Sequence, residues 1–423
     1  MIVLANLIIN LIPFLYAYKS SRKNEFYFFS PLFFPFLIFN VTYLVPTTMA
    51  YAIGWMDTIE LPEKLYFIGI FFFLLGVLFA GSSQGGGIKK FGKVVFLAKS
   101  TLLLCFTFNI ILLFFYGIWS GVTINLLQGL SVEDLRRTAE IGKGFLKEPA
   151  VNMLTLSGLM LVTHYIDPEE KKIIVKIVLF LLIIMVVILF ITSGHKKNAL
   201  LPVIVFIAVY NKIRSLNFRK LFFIFLFTFI AIGALNTVRG GVSGNVGSKL
   251  TETFLKQSIV VLYVYNANYS PIVNMVYNGD LPLQYGKEYY EQFLYLIPRF
   301  LYKDKPISFD YYLKELTNQS FEGGGSPPTL FGSLYLNFGV YGVIIGSFLM
   351  GYLYKLLFNY YKSCNLFFSS LIVLTMYYIL NPSQVINSLL MLYLSFLCII
   401  FFGKFFEKVI HLSRKQNEVV DAV

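Results

Sequence analysis

The residues best suited to chemistry in this 423-residue chain are a small set of cations. There are eight arginines, and four of them, Arg136, Arg137, Arg239 and Arg299, fall in segments that read as facing one side of a membrane. His195, Lys196 and Lys197 occupy a tight SGHKKN turn, and Lys303 and Lys305 sit in the run KDKP. Arginine grips a phosphate bidentately and lysine supplies a point charge, so these groups suit a phosphate or diphosphate at a lipid surface. The sequence has no Asp-x-Asp pair, no HExxH and no Cys/His cluster, so neither metal nor cofactor is expected. A transferase acting on a diphosphate without metal must stabilise the leaving group with such cations. Pairing with headgroups or nearby carboxylates explains any single one of them equally well.

Acid or base candidates lie nearby at Glu291, Asp304, Asp310, Glu315 and Glu322. Glu322 is followed by Gly323 and Gly324, which allow a ligand to approach the backbone closely. A solvated surface carboxylate is the plainer role for any one of these. Eleven tyrosines stand between Tyr263 and Tyr312, Tyr311 among them. They could stack on sugar rings or form an aromatic belt at a membrane boundary. All these groups belong to a polar island, 238–329, whose eight basic and eight acidic residues cancel.

The rest of the chain must hold that island. It is 57% hydrophobic and only 13% charged, with apolar runs long enough to cross a hydrocarbon core about 30 Å thick. Spans are expected near 2–18, 26–53, 65–80, 94–118, 150–166, 173–192, 199–211, 221–237, 330–354, 366–380 and 388–403. The expected fold is an all-α polytopic membrane bundle of about eleven transmembrane helices with one large loop containing interfacial helices. Residues 1–237 would form a first bundle of about eight spans, 238–329 the loop, and 330–423 a second bundle of about three spans with a tail. Within the loop, 254–276 and 289–301 read as interfacial helices, and 54–64 as a short linker. The segment 2–18 lacks a basic start and a cleavage site, and reads as the first span rather than a leader.

Basic residues set the orientation. One set of loops carries 18 lysines and arginines against seven carboxylates, which makes it the cytoplasmic side and puts the N-terminus outside and the C-terminus inside. The net charge of +13 is therefore a membrane-orientation signal, and nucleic acid is not an expected partner. The cysteines, Cys105, Cys364 and Cys398, match no zinc or disulfide pattern. GSSQGGG at 81–87 lacks the Lys-Ser/Thr of a phosphate loop and reads as a linker. No internal repeat is visible and the centres of the expected spans hold no ionisable group, both of which argue against an ion-coupled transporter.

Four stretches together resemble the Wzy-type O-antigen polymerases, which join oligosaccharide repeat units: ITSGHKKNALLPV at 191–203, TVRGG at 237–241, IPRFLYKDKP at 297–306 and GGGSPPTLFGSLYLNFGVYGVIIG at 323–346. The resemblance implies a multi-pass protein of the bacterial inner membrane whose large loop is periplasmic. It implies transfer of a growing glycan from undecaprenyl diphosphate to the non-reducing end of an undecaprenyl-diphosphate-linked repeat unit. It also implies membrane lipids, a chain-length regulator and a flippase as partners. Arg239 and Arg299 take the family's arginine positions, with Arg136 or Arg137 as further counterparts. Lys197 stands where relatives often carry arginine, and the Arg-x10-Gly repeats of some polymerases are absent, position 250 being Leu and position 310 Asp. Arg239, Arg299 and Lys305 would hold the diphosphates, Glu322 or Asp310 would handle the acceptor hydroxyl, and the glycines would shape the cavity mouth. O-antigen ligases share the late large loop but are expected to carry a functional histidine there, and 238–329 has none. A lipid-linked oligosaccharide flippase is the transporter alternative.

Overall fold

A computed structural model describes residues 2–22, 26–44, 60–81, 104, 106–111, 152–153, 155–156, 207–208, 211–212, 269–294, 297, 301–304, 306, 312–313, 328–364, 366–380 and 385–420. Among the described residues the regular structure is helical throughout, with no strand. The elements are α1 (Ile2–Arg22), α2 (Phe34–Phe39) running into a π-helical turn (Asn40–Leu44), α3 (Glu60–Phe79), α4 (Lys287–Leu294), α5 (Thr329–Ser363), α6 (Leu366–Ile379) and α7 (Val385–Val420). A further helical stretch covers 269–278. Among the described residues, three helices are long and apolar enough to cross a membrane: Glu60–Phe79, Thr329–Ser363 and Val385–Val409.

The spans expected at 65–80, 330–354, 366–380 and 388–403 each coincide with a helix, but the boundaries move. α3 begins at Glu60, inside the expected linker, α5 runs to Ser363 and α7 to Val420. The span expected at 26–53 is broken, because 26–33 forms turns and α2 starts only with Pro35 in its first turn. Proline suits a first helical turn, where its missing N–H is not needed. In the loop, the helix expected to run from 289 towards 301 is α4, which stops at Leu294, before Pro298. The expected spans between 94 and 237 lie mostly outside the described residues.

The described residues fall into two compact units. The first draws on Met1–Gln84, Asn211–Lys362 and Met376–Asn387. Its centre is aromatic. The FYFFSPLFFPF segment packs Phe29 flat on Phe34 at 4.0 Å, and Phe39 meets Phe73 at 5.4 Å and Phe331 at 5.0 Å. Side chains from far along the chain tie that segment down: Asn211 Nδ2 donates to the Phe26 carbonyl (3.0 Å) and Tyr354 OH to that of Phe29 (3.2 Å). In the second unit, Val373, Leu374, Leu392 and Ile399 are buried, Phe368 packs on Phe396 at 5.8 Å, and the Thr375 and Tyr393 hydroxyls lie 3.3 Å apart.

α5 reads as a membrane helix in its surface as well as its length. Beyond Gly339, Tyr341, Ile345, Leu349 and Leu353 are exposed, spaced by four residues along one face, while Ser333, Asn337 and Ser347 are buried. In lipid the apolar stripe belongs outside and polar groups glue helices together inside. α3 and α5 approach to backbone contact through reciprocal glycines. A Cβ on Gly76 would lie 2.0 Å from the Phe348 carbonyl oxygen, and one on Gly351 would lie 2.1 Å from that of Phe73. Small residues permit such close crossings in membranes, where dispersion and interhelical hydrogen bonds replace the hydrophobic effect as the driving force. Because the obstructing atoms are main chain, they cannot rotate away. Gly76→Ala and Gly351→Ala should each cost about 1–3 kcal/mol, read as a lower unfolding midpoint in detergent, with Gly76→Ala/Gly351→Ala no worse than the sum, since both report on one crossing.

Candidate functional site

Of the cations singled out above, Lys303 is described, and it stands on an exposed turn at 301–304. Arg136, Arg137, His195, Lys196, Lys197, Arg239, Arg299, Lys305, Asp310, Tyr311, Glu322, Gly323 and Gly324 lie outside the described residues, as does Glu315. Asp304 is exposed beside Lys303, and the Glu291 side chain is largely covered, 3.8 Å from the Lys287 ammonium. The polar island itself has a built portion, and it can be followed atom by atom.

That portion depends on a break in α5. Gly339 adopts φ 65° and ψ −153°, a region open to glycine and costly for other residues. The break leaves the carbonyls just before it without helical donors. The island fills the vacancy: Gln284 N–H donates to the Leu336 carbonyl and Tyr285 N–H to that of Asn337, both at 3.0 Å. The donors are aimed by a tight turn closed by Lys287 N–H on the Gln284 carbonyl at 2.9 Å. Tyr285 and Gly286 lie at its centre with φ 46° and 87°, the positive pair of a type I′ turn.

The side chains continue the clamp. Gly286 N–H donates to Asn337 Oδ1 (3.0 Å), which fixes the orientation of that amide. Asn337 Nδ2 then donates to Glu288 Oε2 (2.7 Å) and to the Ser333 carbonyl (2.9 Å). Ser333 Oγ donates its one proton to the same Glu288 oxygen at 2.7 Å. Tyr289 OH, 3.1 Å from Ser333 Oγ, must therefore be the donor in that contact. One turn further along α4, Gln292 Oε1 accepts the Ile386 N–H at 2.9 Å, satisfying an otherwise unpaired donor at the start of α7. Glu288 and Gln292, four residues apart on one face, thus bind α4 to both α5 and α7, and both are fully buried. Buried and bonded to Ser333 and Asn337, Glu288 acts as an anchor.

A second anchor ties the island to α3. Tyr269 OH donates to the Pro62 carbonyl at 3.1 Å, its ring lies edge-on to Tyr43 at 4.6 Å, and a Cβ on Gly332 would press on it at 3.0 Å. Next to Pro62, Glu63 is 1% exposed. Asn6 Nδ2 donates to its Oε2 and, at 3.3 Å, to its main-chain oxygen. A chain of amides leads on: Asn10 Nδ2 donates to the Asn6 carbonyl at 2.7 Å and Asn40 Nδ2 to Asn10 Oδ1 at 2.9 Å.

Neither Glu288 nor Glu63 figured among the sequence-derived acid or base candidates. The available signal was indirect: Ser333 and Asn337, four apart in an apolar helix, and Asn6 and Asn10, likewise four apart, each imply a polar partner facing that stripe. Tyr285, at the centre of the turn, is exposed, as are Tyr277 and Tyr290 to either side of it. They present flat apolar faces with polar tips, a shape able to stack on a sugar ring.

Burial, and after it the neighbouring Glu288 charge, pushes the Tyr289 phenol well above its ordinary value. Burial, then the Glu63 charge, does the same to Tyr269. A phenol whose folded-state value is raised stabilises the fold fully below its unfolded value, about 10, and loses that contribution as pH climbs beyond it. Tyr289→Phe should therefore cost about 1 kcal/mol at pH near 8, through the lost bond to Ser333. The penalty should shrink or reverse above pH of about 10, measured as the difference in Tm from wild type. Gly339→Ala should cost about 1–3 kcal/mol through its backbone conformation. Glu288→Ala and Asn337→Ala should be coupled by about 0.5–3 kcal/mol in a double-mutant cycle of thermal unfolding.

No family model matches the chain, and neither a curated protein nor a solved structure is significantly similar to it.

Proposed function

We propose that this protein polymerises lipid-linked oligosaccharide repeat units, transferring a growing glycan from undecaprenyl diphosphate to the non-reducing end of an undecaprenyl-diphosphate-linked unit. The observation that carries the reading is the docking of the polar island on α5. The residues that receive it, Gly332, Ser333, Asn337 and Gly339, all belong to GGGSPPTLFGSLYLNFGVYGVIIG, the longest stretch of the family resemblance. A loop so clamped is suited to holding cations at the membrane surface, where lipid diphosphates lie.

In this reading about eleven spans surround the site, the N-terminus is periplasmic and the C-terminus cytoplasmic, and the protein works in the bacterial inner membrane beside a flippase and a chain-length regulator. Arg239 and Arg299, with Lys303 and Lys305, neutralise the departing diphosphate without a metal. Arg136, Arg137, His195, Lys196 and Lys197 complete the cationic rim. Glu322 or Asp310 receives the acceptor hydroxyl's proton, Tyr311 stacks on the glycan, and Gly323 and Gly324 keep the mouth open.

The test is complementation of a strain lacking its own polymerase. The wild-type chain should restore a ladder of long surface polysaccharide. Arg239→Ala and Arg299→Ala should each reduce it by roughly a hundredfold or more, as for loss of one transition-state charge contact, while single-repeat capped core persists. Normal ladders from both variants would sink the phosphate-clamp mechanism. Loss of even the single repeat in a deletion strain would point instead to the ligase or the flippase.

A further inference from the structure

We infer that Glu63 and Asn6 form a proton-binding site inside the bundle, in which a neutral Glu63 carboxyl pairs face to face with the Asn6 amide and latches α1 to α3. Two acceptors in that pair, Glu63 Oε1 and Asn6 Oδ1, are buried and have no hydrogen-bond partner. The Asn6 amide cannot be turned over to relieve this, because its Nδ2 already donates to two oxygens of Glu63, the main-chain carbonyl and Oε2. Orphaned acceptors are expensive in a buried setting, and an orphaned carboxylate oxygen more so. One proton removes both defects. Placed on Oε1, it turns the carboxylate into a neutral acid and gives Asn6 Oδ1 the donor it lacks, closing a two-bond acid–amide ring with the existing Nδ2 to Oε2 bond.

Among the described residues the surroundings offer no other compensation. From α1 come Asn6 and Asn10, both neutral. The π-helical turn presents Tyr43, α3 itself Tyr66, the 269–278 helix Tyr269 and α5 the Phe331 ring, with Tyr335 near Tyr269. Every titratable group in that set is a phenol. The charged neighbours on α3, Glu60 and Lys64, pair with each other at 2.5 Å in the exposed layer. An ionised Glu63 would thus carry an uncompensated charge in a candidate membrane span, an arrangement that otherwise marks ion and proton sites. Asn10 Oδ1 is already occupied by Asn40 and, at 3.5 Å, by Tyr66. The latch therefore sits at the end of a satisfied amide chain, and releasing the proton would strain that chain at its last link. The inference does not depend on the polymerase reading.

Infrared spectroscopy of the purified protein in lipid nanodiscs tests it. Wild type at neutral pH should show the C=O stretch of a protonated carboxyl, shifted on exchange into D2O, and Glu63→Gln should lose it while Glu288→Gln keeps it. Glutamine is the isostere of the neutral acid, its amide able to donate to Asn6 Oδ1. Glu63→Gln should therefore unfold within about 3 °C of wild type, whereas Glu63→Leu, which strands the Asn6 donors, should melt several degrees lower. Replacing sodium by choline should leave the wild-type midpoint unchanged. Absence of the band, its persistence in Glu63→Gln, or failure of Glu63→Gln to fold would each overturn the proposal. So would a sodium-dependent stabilisation lost in Glu63→Gln, which would make the occupant a metal cation instead.

Discussion

The interruption of α5 at Gly339 is the constraint from which the described part of the site follows. A long helix that breaks inside a membrane protein exposes main-chain carbonyls that lipid cannot satisfy, so something polar has to cover them. Here the polar island supplies its own N–H groups from a tight turn at 284–287, and Asn337 takes a third at Gly286. Once those bonds are made, the start of α4 is determined, and with it the positions of Glu288 and Gln292. The break therefore creates the docking point for the loop, and the loop in turn stabilises the break.

Packing and polarity divide the work in the first unit. Aromatic rings from the 26–39 segment, α3 and α5 fill the volume, while reciprocal glycines let α3 and α5 touch through their backbones. Polar side chains then choose the register. The chain Asn40–Asn10–Asn6–Glu63 links the π-helical turn, α1 and α3, and Tyr269 joins the island to the same helix through the Pro62 carbonyl. A contact made only of phenylalanine tolerates a shift along the helix axis. One that must pair an amide with a carboxyl does not.

That division bears on function. The island is held from two sides, at α5 by Glu288 and at α3 by Tyr269, and the exposed turn at 301–304 with Lys303 belongs to the same segment of the chain. Under the proposed function, catalysis on a diphosphate by charge alone needs cations placed before the charge develops. The buried carboxylates Glu288 and Glu63 hold elements together.

The sequence by itself determined the class of molecule, a helical chain with apolar runs long enough to span a membrane. Apolar run lengths placed α3, α5, α6 and α7, because the membrane demands a minimum stretch of apolar residues in any spanning helix. The residue types of the island singled out its cations as the candidate site. Helix ends were less legible: Glu63 fell into an expected linker because a charged residue at the edge of an apolar run normally marks water, and nothing local announces that Asn6 will cover it. Glu288 was similarly indistinguishable from the island's other carboxylates. Only the tertiary structure decided which carboxylates are buried and where α5 breaks. Those outcomes depend on partners 45 to 57 residues away in the chain, and hydrogen bonds over such separations leave no periodic trace in sequence.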